Sequence, residues 1–173
     1  MEAEHIRTGG AADVPALAEL ASRTWADAFG DSVSKEDLAA ELEQKRSSAY
    51  FEGALHADTI LVAESNGELI GYVQFGDVDA AAPERRPDDQ ILHRLYVATE
   101  QQGRGVGRRL MEAALRHPRL ATAGRVYLQV WEVNDRAIRL YESLGFRTVG
   151  KTTFTIGAGH VTEDLVMRLD RTP

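Results

Sequence analysis

The sequence predicts one α/β domain of the α+β kind, with a mixed and mostly antiparallel sheet of about seven strands flanked by helices. Three observations carry that expectation. Apolar residues recur at helical spacing early in the chain and again after residues 105 and 134, whereas residues 59–75, 91–97, 125–131 and 146–169 read as short strands. Asn66-Gly67 separates two of those strands, a strong local signal for a hairpin. The 173 residues, 43% apolar and 27% charged, suit a single folded domain spanning positions 1–173.

Each element has a local cause. Residues 5–7 read as a short strand ahead of the Gly9-Gly10 turn. Asp13 is the expected N-cap of a first helix, with Pro15 in its first turn and Leu17, Leu20, Ala21, Thr24 and Ala28 on one face. Ser34 opens a second helix through a capping-box pattern with Asp37, and Leu38 and Leu42 supply its apolar stripe. Residues 46–58 are compatible with a third short helix. The hairpin follows, then a polar, proline-bounded loop at 77–89. A strand at 91–97 leads into a glycine-rich segment, and a helix over 106–117 is stopped by Pro118. After a strand at 125–131, a helix over 134–144 ends at Gly145. Strands at 146–155 and 161–169 flank a turn at 157–159. The chain shows no internal repeat or low-complexity linker.

Composition narrows the function classes. Cysteine is absent, which excludes disulfides, thiolate metal sites and a cysteine nucleophile, and makes a reducing cytoplasm the expected compartment. The histidines at positions 5, 56, 93, 117 and 160 lack metal-ligand spacing, so no metal is expected. No apolar run approaches the ~20 residues of a bilayer span, and no signal-like start is present, so no membrane partner is expected. A net charge of −7 argues against nucleic acid and biases the protein toward small cationic partners. The sequence leaves assembly open, with a homodimer among the expected states.

The segment Q-Q-G-R-G-V-G-R-R (101–109) lies between a strand and a helix. In that geometry backbone N–H groups and the helix dipole face an anion. Gly103, Gly105 and Gly107 would let a phosphate approach the main chain, and Arg104, Arg108 and Arg109 would add charge. The plain alternative is a surface turn with solvated arginines. A nucleotide P-loop fails, because Arg108-Arg109 stand where Lys-Ser or Lys-Thr is needed. A dinucleotide fingerprint fails on its G-x-G-x-x-G spacing, although Glu132 lies near where a ribose-binding acid would stand.

Gln102-x-x-Gly105-x-Gly107 after a strand ending L-Y-V resembles the pyrophosphate loop of the GCN-five-related N-acetyltransferase (GNAT) superfamily. Asn134-x-x-Ala137-x-x-x-Tyr141 followed by Gly145-Phe146 is similar to that family's second signature. Element order agrees along essentially the whole chain. T-W-A-D-A-F (24–29), V-W-E-V-N (130–134), and F-T-I-G with D-L-V-M (154–157, 164–167) further resemble bacterial PaiA-type spermidine/spermine N-acetyltransferases.

The resemblance implies acetyl-coenzyme A as co-substrate and direct attack by a primary amine of a small molecule, with a polyamine as one acceptor. It implies that the backbone of Leu95, Tyr96 and Val97 holds the pantetheine arm, with one N–H polarising the thioester carbonyl. Gln102, Gly103, Arg104, Gly105, Val106, Gly107 and Arg108 would hold the pyrophosphate. Asn134 would contact the cofactor arm, and Tyr141 would protonate the leaving thiolate. Tyr141 also suits plain packing against Ala137, Ile138 and Leu144. His93, Glu132 and Asp89 are candidate general bases, and His93 also suits a structural role. Trp25, Asp27, Phe29 and Trp131 are candidate acceptor-pocket residues or ordinary packing residues. Other acceptors are a protein N-terminus, a lysine or an aminoglycoside, and a non-catalytic acyl-coenzyme A sensor is the rival from another class.

Overall fold

Alternation and turn chemistry put the strands where the sequence places them. The computed structural model describes residues 4–79, 84–157 and 159–171. Its strands are β1 (His5–Thr8), β2 (Thr59–Ser65), β3 (Glu68–Asp77), β4 (Asp89–Val97), β5 (Arg125–Trp131), β6 (Arg147–Ile156) and β7 (His160–Asp170). Its helices are α1 (Val14–Phe29), α2 (Lys35–Arg46), α3 (Ser48–Ala57), α4 (Val106–Arg116), α5 (Pro118–Ala121) and α6 (Asp135–Ser143). Residues 80–83 of the expected loop and residue 158 of the expected last turn lie outside the described residues.

The strands form a seven-stranded sheet in the order β1-β2-β3-β4-β5-β7-β6. Only β4 and β5 pair in parallel; the other neighbours are antiparallel. The open mixed sheet flanked by helices is therefore the architecture the sequence predicts. One face buries Val73, Leu92, Val126 and Leu128 against Leu110 and Met111 of α4. The other buries Ile60, Val62 and Tyr72 against Leu17, Leu20 and Ala21 of α1 and Phe51 of α3. Helices α1, α3 and α4 thus spend their apolar stripes on the sheet, as burial of apolar area demands.

Several local expectations change. Asp13 precedes α1 but makes no side-chain cap there. Its carboxylate turns back to the Gly10 N–H (2.8 Å) and to Arg7 (2.8 and 2.9 Å), because a full cation outcompetes a helix N–H. Ala28 is exposed, and Val14 and Trp25 complete the buried face of α1 instead. Leu38 and Leu42 are only half-buried; the buried side of α2 carries Glu41 and Arg46. Pro118 does more than stop α4, since α5 begins on it, with His117 accepting the Arg119 N–H at 3.2 Å. The Ser34 cap is present, its hydroxyl accepting the Asp37 N–H at 3.0 Å.

At the start of the parallel ladder Asp89 is not a base but half of a buried ion pair. Its carboxylate receives Arg125 Nη2 at 2.6 Å and Nε at 2.8 Å and is 1% exposed. Burial opposes ionisation, but the Arg125 guanidinium and the Arg86 N–H outweigh it and hold the carboxyl below its ordinary value. A depressed folded pKa contributes stability in full above the unfolded value of about 3.9, and that contribution is lost as pH falls through the folded value. Asp89→Ala should therefore cost about 3–5 kcal/mol at neutral pH by leaving Arg125 buried and unpaired. Urea unfolding at neutral and acid pH checks this: the gap between wild type and variant should narrow in acid.

Candidate active site

The parallel pairing of β4 with β5 covers only Asp89↔Arg125 through Leu92↔Leu128. Beyond it β4 stays on β3 and β5 stays on β7, so the two strands part and open a cleft of about 640 Å³. A bulge marks the parting. Gln74 pairs with Arg94 and Phe75 with Leu92, leaving His93 unmatched on β4. The extra residue re-aims the following backbone. Leu95, Tyr96 and Val97 consequently line the cleft from an edge of β4 that β5 does not cover.

At one end of the cleft lies the glycine turn. Gly105 is the residue before α4 and has φ +81°, a conformation that disfavours side chains. The first bond of the helix runs from the Arg109 N–H to the Gly105 carbonyl at 3.1 Å, so the N–H groups of 106–108 have no partner within the helix. Gln102, Gly103, Gly105, Val106, Gly107 and Arg108 line the cleft; Arg104 does not. Arg109 turns away to Glu4, with Nε 2.8 Å from Oε1. A residue the sequence reading missed takes up the charge: Arg136 of α6 lines the cleft and donates to Gln102 Oε1 at 3.1 Å. Only a contact across 34 positions reveals it.

Tyr141 of α6 lines the middle of the cleft and is 6% exposed. Its ring meets Phe146 edge-on at 6.0 Å, so it packs as well as lining the cleft. Burial, reinforced by the neighbouring Tyr96, pushes its hydroxyl above the ordinary phenol range, which keeps it protonated at neutral pH. Asn134 also lines the cleft and caps α6, its Oδ1 accepting the Ala137 N–H at 3.2 Å. One residue therefore fixes the helix that carries Tyr141, and its amide N–H₂ makes no hydrogen bond among the described residues.

Toward the other end, Phe29 bridges Trp25 (4.9 Å) and Trp131 (5.4 Å). The Arg46 guanidinium stacks on Trp25 at 4.7 Å and Lys45 sits over Phe154 at 4.8 Å. Both cations pair with Glu41, at 2.7 and 3.1 Å. Arg94 stacks on Tyr50 at 4.1 Å and donates to the Lys45 carbonyl. Asp164 also lines the cleft; burial raises its carboxyl above the ordinary value against a weak 3.5 Å contact from Thr162. No ion pair reaches Asp164 among the described residues. The structure brings His93 to the cleft but not Glu132, which is tied to Lys151 at 2.9 Å. Asp27 is likewise outside, accepting the Thr99 hydroxyl at 2.8 Å.

Residues 15–146 match the model of the acetyltransferase (GNAT) family. The chain belongs to that family. It is 33% identical over 165 residues to an uncharacterized N-acetyltransferase of Mycobacterium tuberculosis, covering 90% of this chain and 97% of the relative. A spermine/spermidine N(1)-acetyltransferase of Bacillus subtilis is 30% identical over 89 residues, 51% of this chain and 59% of the relative. The solved structure of the Thermoplasma acidophilum PaiA N-acetyltransferase in complex with coenzyme A superposes with a TM-score of 0.77 at 19% identity, covering 98% of this chain and 99% of that one. The protein is thus an acetyl-coenzyme A-dependent N-acetyltransferase in kind, with a PaiA-like fold.

The cap on α6 gives a direct check of the GNAT site's construction. Asn134→Ala should lower stability by roughly 0.5–2 kcal/mol, whereas Asn134→Asp, which keeps the acceptor, should stay close to wild type. Thermal melts of the two variants measure the difference.

Proposed function

We propose that this acetyltransferase moves acetyl from acetyl-coenzyme A to the primary amine of a small molecule by direct attack. One observation carries the reading: the open edge of β4, the unpaired helix N–H groups at Gly105 and the buried Tyr141 hydroxyl share one cleft. The edge suits an extended amide-bearing arm, much as a peptide adds to a sheet. The Leu95–Val97 backbone then supplies a donor for the thioester carbonyl. Arg108, Arg136 and the α4 terminus suit a pyrophosphate.

An alkylammonium with a pKa near ~10.4 is neutral in only about 1 molecule in 2,500 at pH 7, so the amine must lose a proton to react. That first proton goes to solvent, and His93, the imidazole lining the cleft, takes the second as the neutral amine attacks. The amine nitrogen bonds the carbonyl carbon, the C–S bond breaks, and Tyr141 protonates the departing thiolate. Asp164, half-buried and with no ion pair among the described residues, offers a carboxylate to hold an ammonium group on the acceptor.

A polyamine acceptor draws support from the Bacillus relative and from the aromatic wall of Trp25, Phe29 and Trp131. The charges favour a second reading. Lys45, Arg46 and Arg94 outnumber Glu41 and Asp164 around this end of the cleft, which suits an amine that also carries a carboxylate better than a polycation. Thiol release with acetyl-coenzyme A across spermidine, simple amines and amino acids separates the two by kcat/KM. Release with no amine in the panel would instead favour an acyl-coenzyme A sensor.

Two variants test the assigned groups. Gly105→Val should abolish acetyl-coenzyme A binding by calorimetry while leaving a folded protein, because it strains φ +81° and places a branched side chain where the phosphate approaches. Unchanged affinity would remove the pyrophosphate from this turn. Tyr141→Phe keeps the ring and should change stability little, since a lost hydrogen bond is worth roughly 0.5–1.5 kcal/mol. Its kcat should fall roughly 10²–10⁴-fold with binding intact. Near-normal kcat with chemistry limiting would leave Tyr141 as a packing residue.

A further inference from the structure

Behind His93 stands a carboxylate that the reaction described above leaves unused. Asp58 follows α3, and its Oδ1 lies 3.6 Å from His93 Nε2. Its Oδ2 accepts Gln74 Nε2–H at 2.7 Å, and the same Gln74 nitrogen lies 3.0 Å from the Tyr50 hydroxyl. Gln74 is 1% exposed, so the carboxylate is moored to a buried amide rather than left to solvent. Gly76 makes room for it. A Cβ at position 76 would sit 2.0 Å from Asp58 Oδ1 and 3.4 Å from His93 Nε2. The β4 bulge falls opposite Gln74 and Phe75, so one irregularity sets both the anchor of Asp58 and the residue Asp58 faces.

We propose that Asp58 is a positioning residue for His93: from its 3.6 Å contact it draws in to accept the Nε2–H when the acceptor binds, fixing the ring's tautomer and leaving Nδ1 as the basic nitrogen for the acceptor amine. The inference rests on the acetyl-transfer reading with His93 as proton acceptor. A carboxylate behind an imidazole sets which ring nitrogen carries the proton and stabilises the imidazolium that forms. The protons balance: the ammonium gives its first to solvent, and the second goes to His93 Nδ1 as the N–C bond forms and C–S breaks. The thiolate receives the Tyr141 proton, and solvent then takes a proton from His93 and returns one to Tyr141. Asp58 gains none. Burial opposes ionisation of Asp58, yet the His93 ring and the Gln74 amide outweigh it and hold the carboxyl below its ordinary value. It therefore stands ready as an anion. The other carboxylates once in view do not fill this place: Asp89 is locked to Arg125 and Glu132 to Lys151.

A double-mutant cycle of Asp58→Asn and His93→Gln tests the assignment with acetyl-coenzyme A and the best amine of the panel. Asp58→Asn should lower kcat roughly ten- to a hundred-fold, the usual worth of a group that orients a histidine, with both KM values within about twofold. In the His93→Gln background the same change should cost less than about threefold, because the ring it orients is gone. Gly76→Ala, which displaces the carboxylate by a different route, should reproduce the Asp58→Asn loss and serves alone should that variant not fold. Long-range proton–nitrogen NMR should show neutral His93 protonated on Nε2 in the wild type and a mixture of tautomers in Asp58→Asn. Unchanged kcat, fully additive losses, or a wild-type ring protonated on Nδ1 would overturn the proposal while leaving acetyl transfer intact. A wild type that acetylates no amine would overturn the transfer reading, and this proposal with it.

Discussion

Parallel pairing between β4 and β5 runs only from Asp89 to Leu92, and the buried Asp89–Arg125 pair fastens its outer end. That short ladder governs the site. Each strand keeps its other neighbour beyond the break, so the sheet opens without losing register. Backbone groups on the freed edge of β4 must then find partners in water or in a ligand. The bulge adds one residue, His93, to β4 at the same point, which puts an imidazole beside the edge that would hold a thioester. A longer ladder would close the cleft and satisfy those groups internally. The site exists because pairing stops.

Electrostatics then divides the cleft. Arg108, Arg136 and the start of α4 make one end suited to an anion. Tyr141 lies between the two ends, its hydroxyl pushed above the ordinary phenol range by burial. The far end mixes aromatic rings with Lys45, Arg46, Arg94, Glu41 and Asp164. Because burial removes the screening of water, each of these charges matters more there than on the surface. His93 and Tyr141, the two groups proposed to move protons, line the same cleft. This division also explains how an acidic chain, net charge −7, can hold a polyanionic co-substrate: the local cations act within a few ångströms, while the overall charge is screened over about 8 Å at physiological salt.

Much of the fold was legible in the sequence because its signals are local. Asn66 and Gly67 both adopt positive φ, as the hairpin turn requires, and Ser34, Pro118 and Gly145 act within a turn of their positions. The glycine turn and Tyr141 were legible for the same reason, each lying in a short pattern tied to one element boundary. Long-range pairs were not. Arg136 reaches Gln102 across 34 positions, and Asp58 reaches His93 across 35. No spacing rule links residues 34 or 35 positions apart. Only the packed sheet does.

The central claim is that the opened edge of β4 and the turn before α4 form one binding surface for acetyl-coenzyme A. Residue-resolved amide hydrogen exchange with and without coenzyme A measures it most directly. Protection should rise at residues 95–97 and 103–108 together, with the α1 and α3 face unchanged. Protection confined to the region around Gly9, Gly10 and Val14, with residues 95–97 unaffected, would contradict the account.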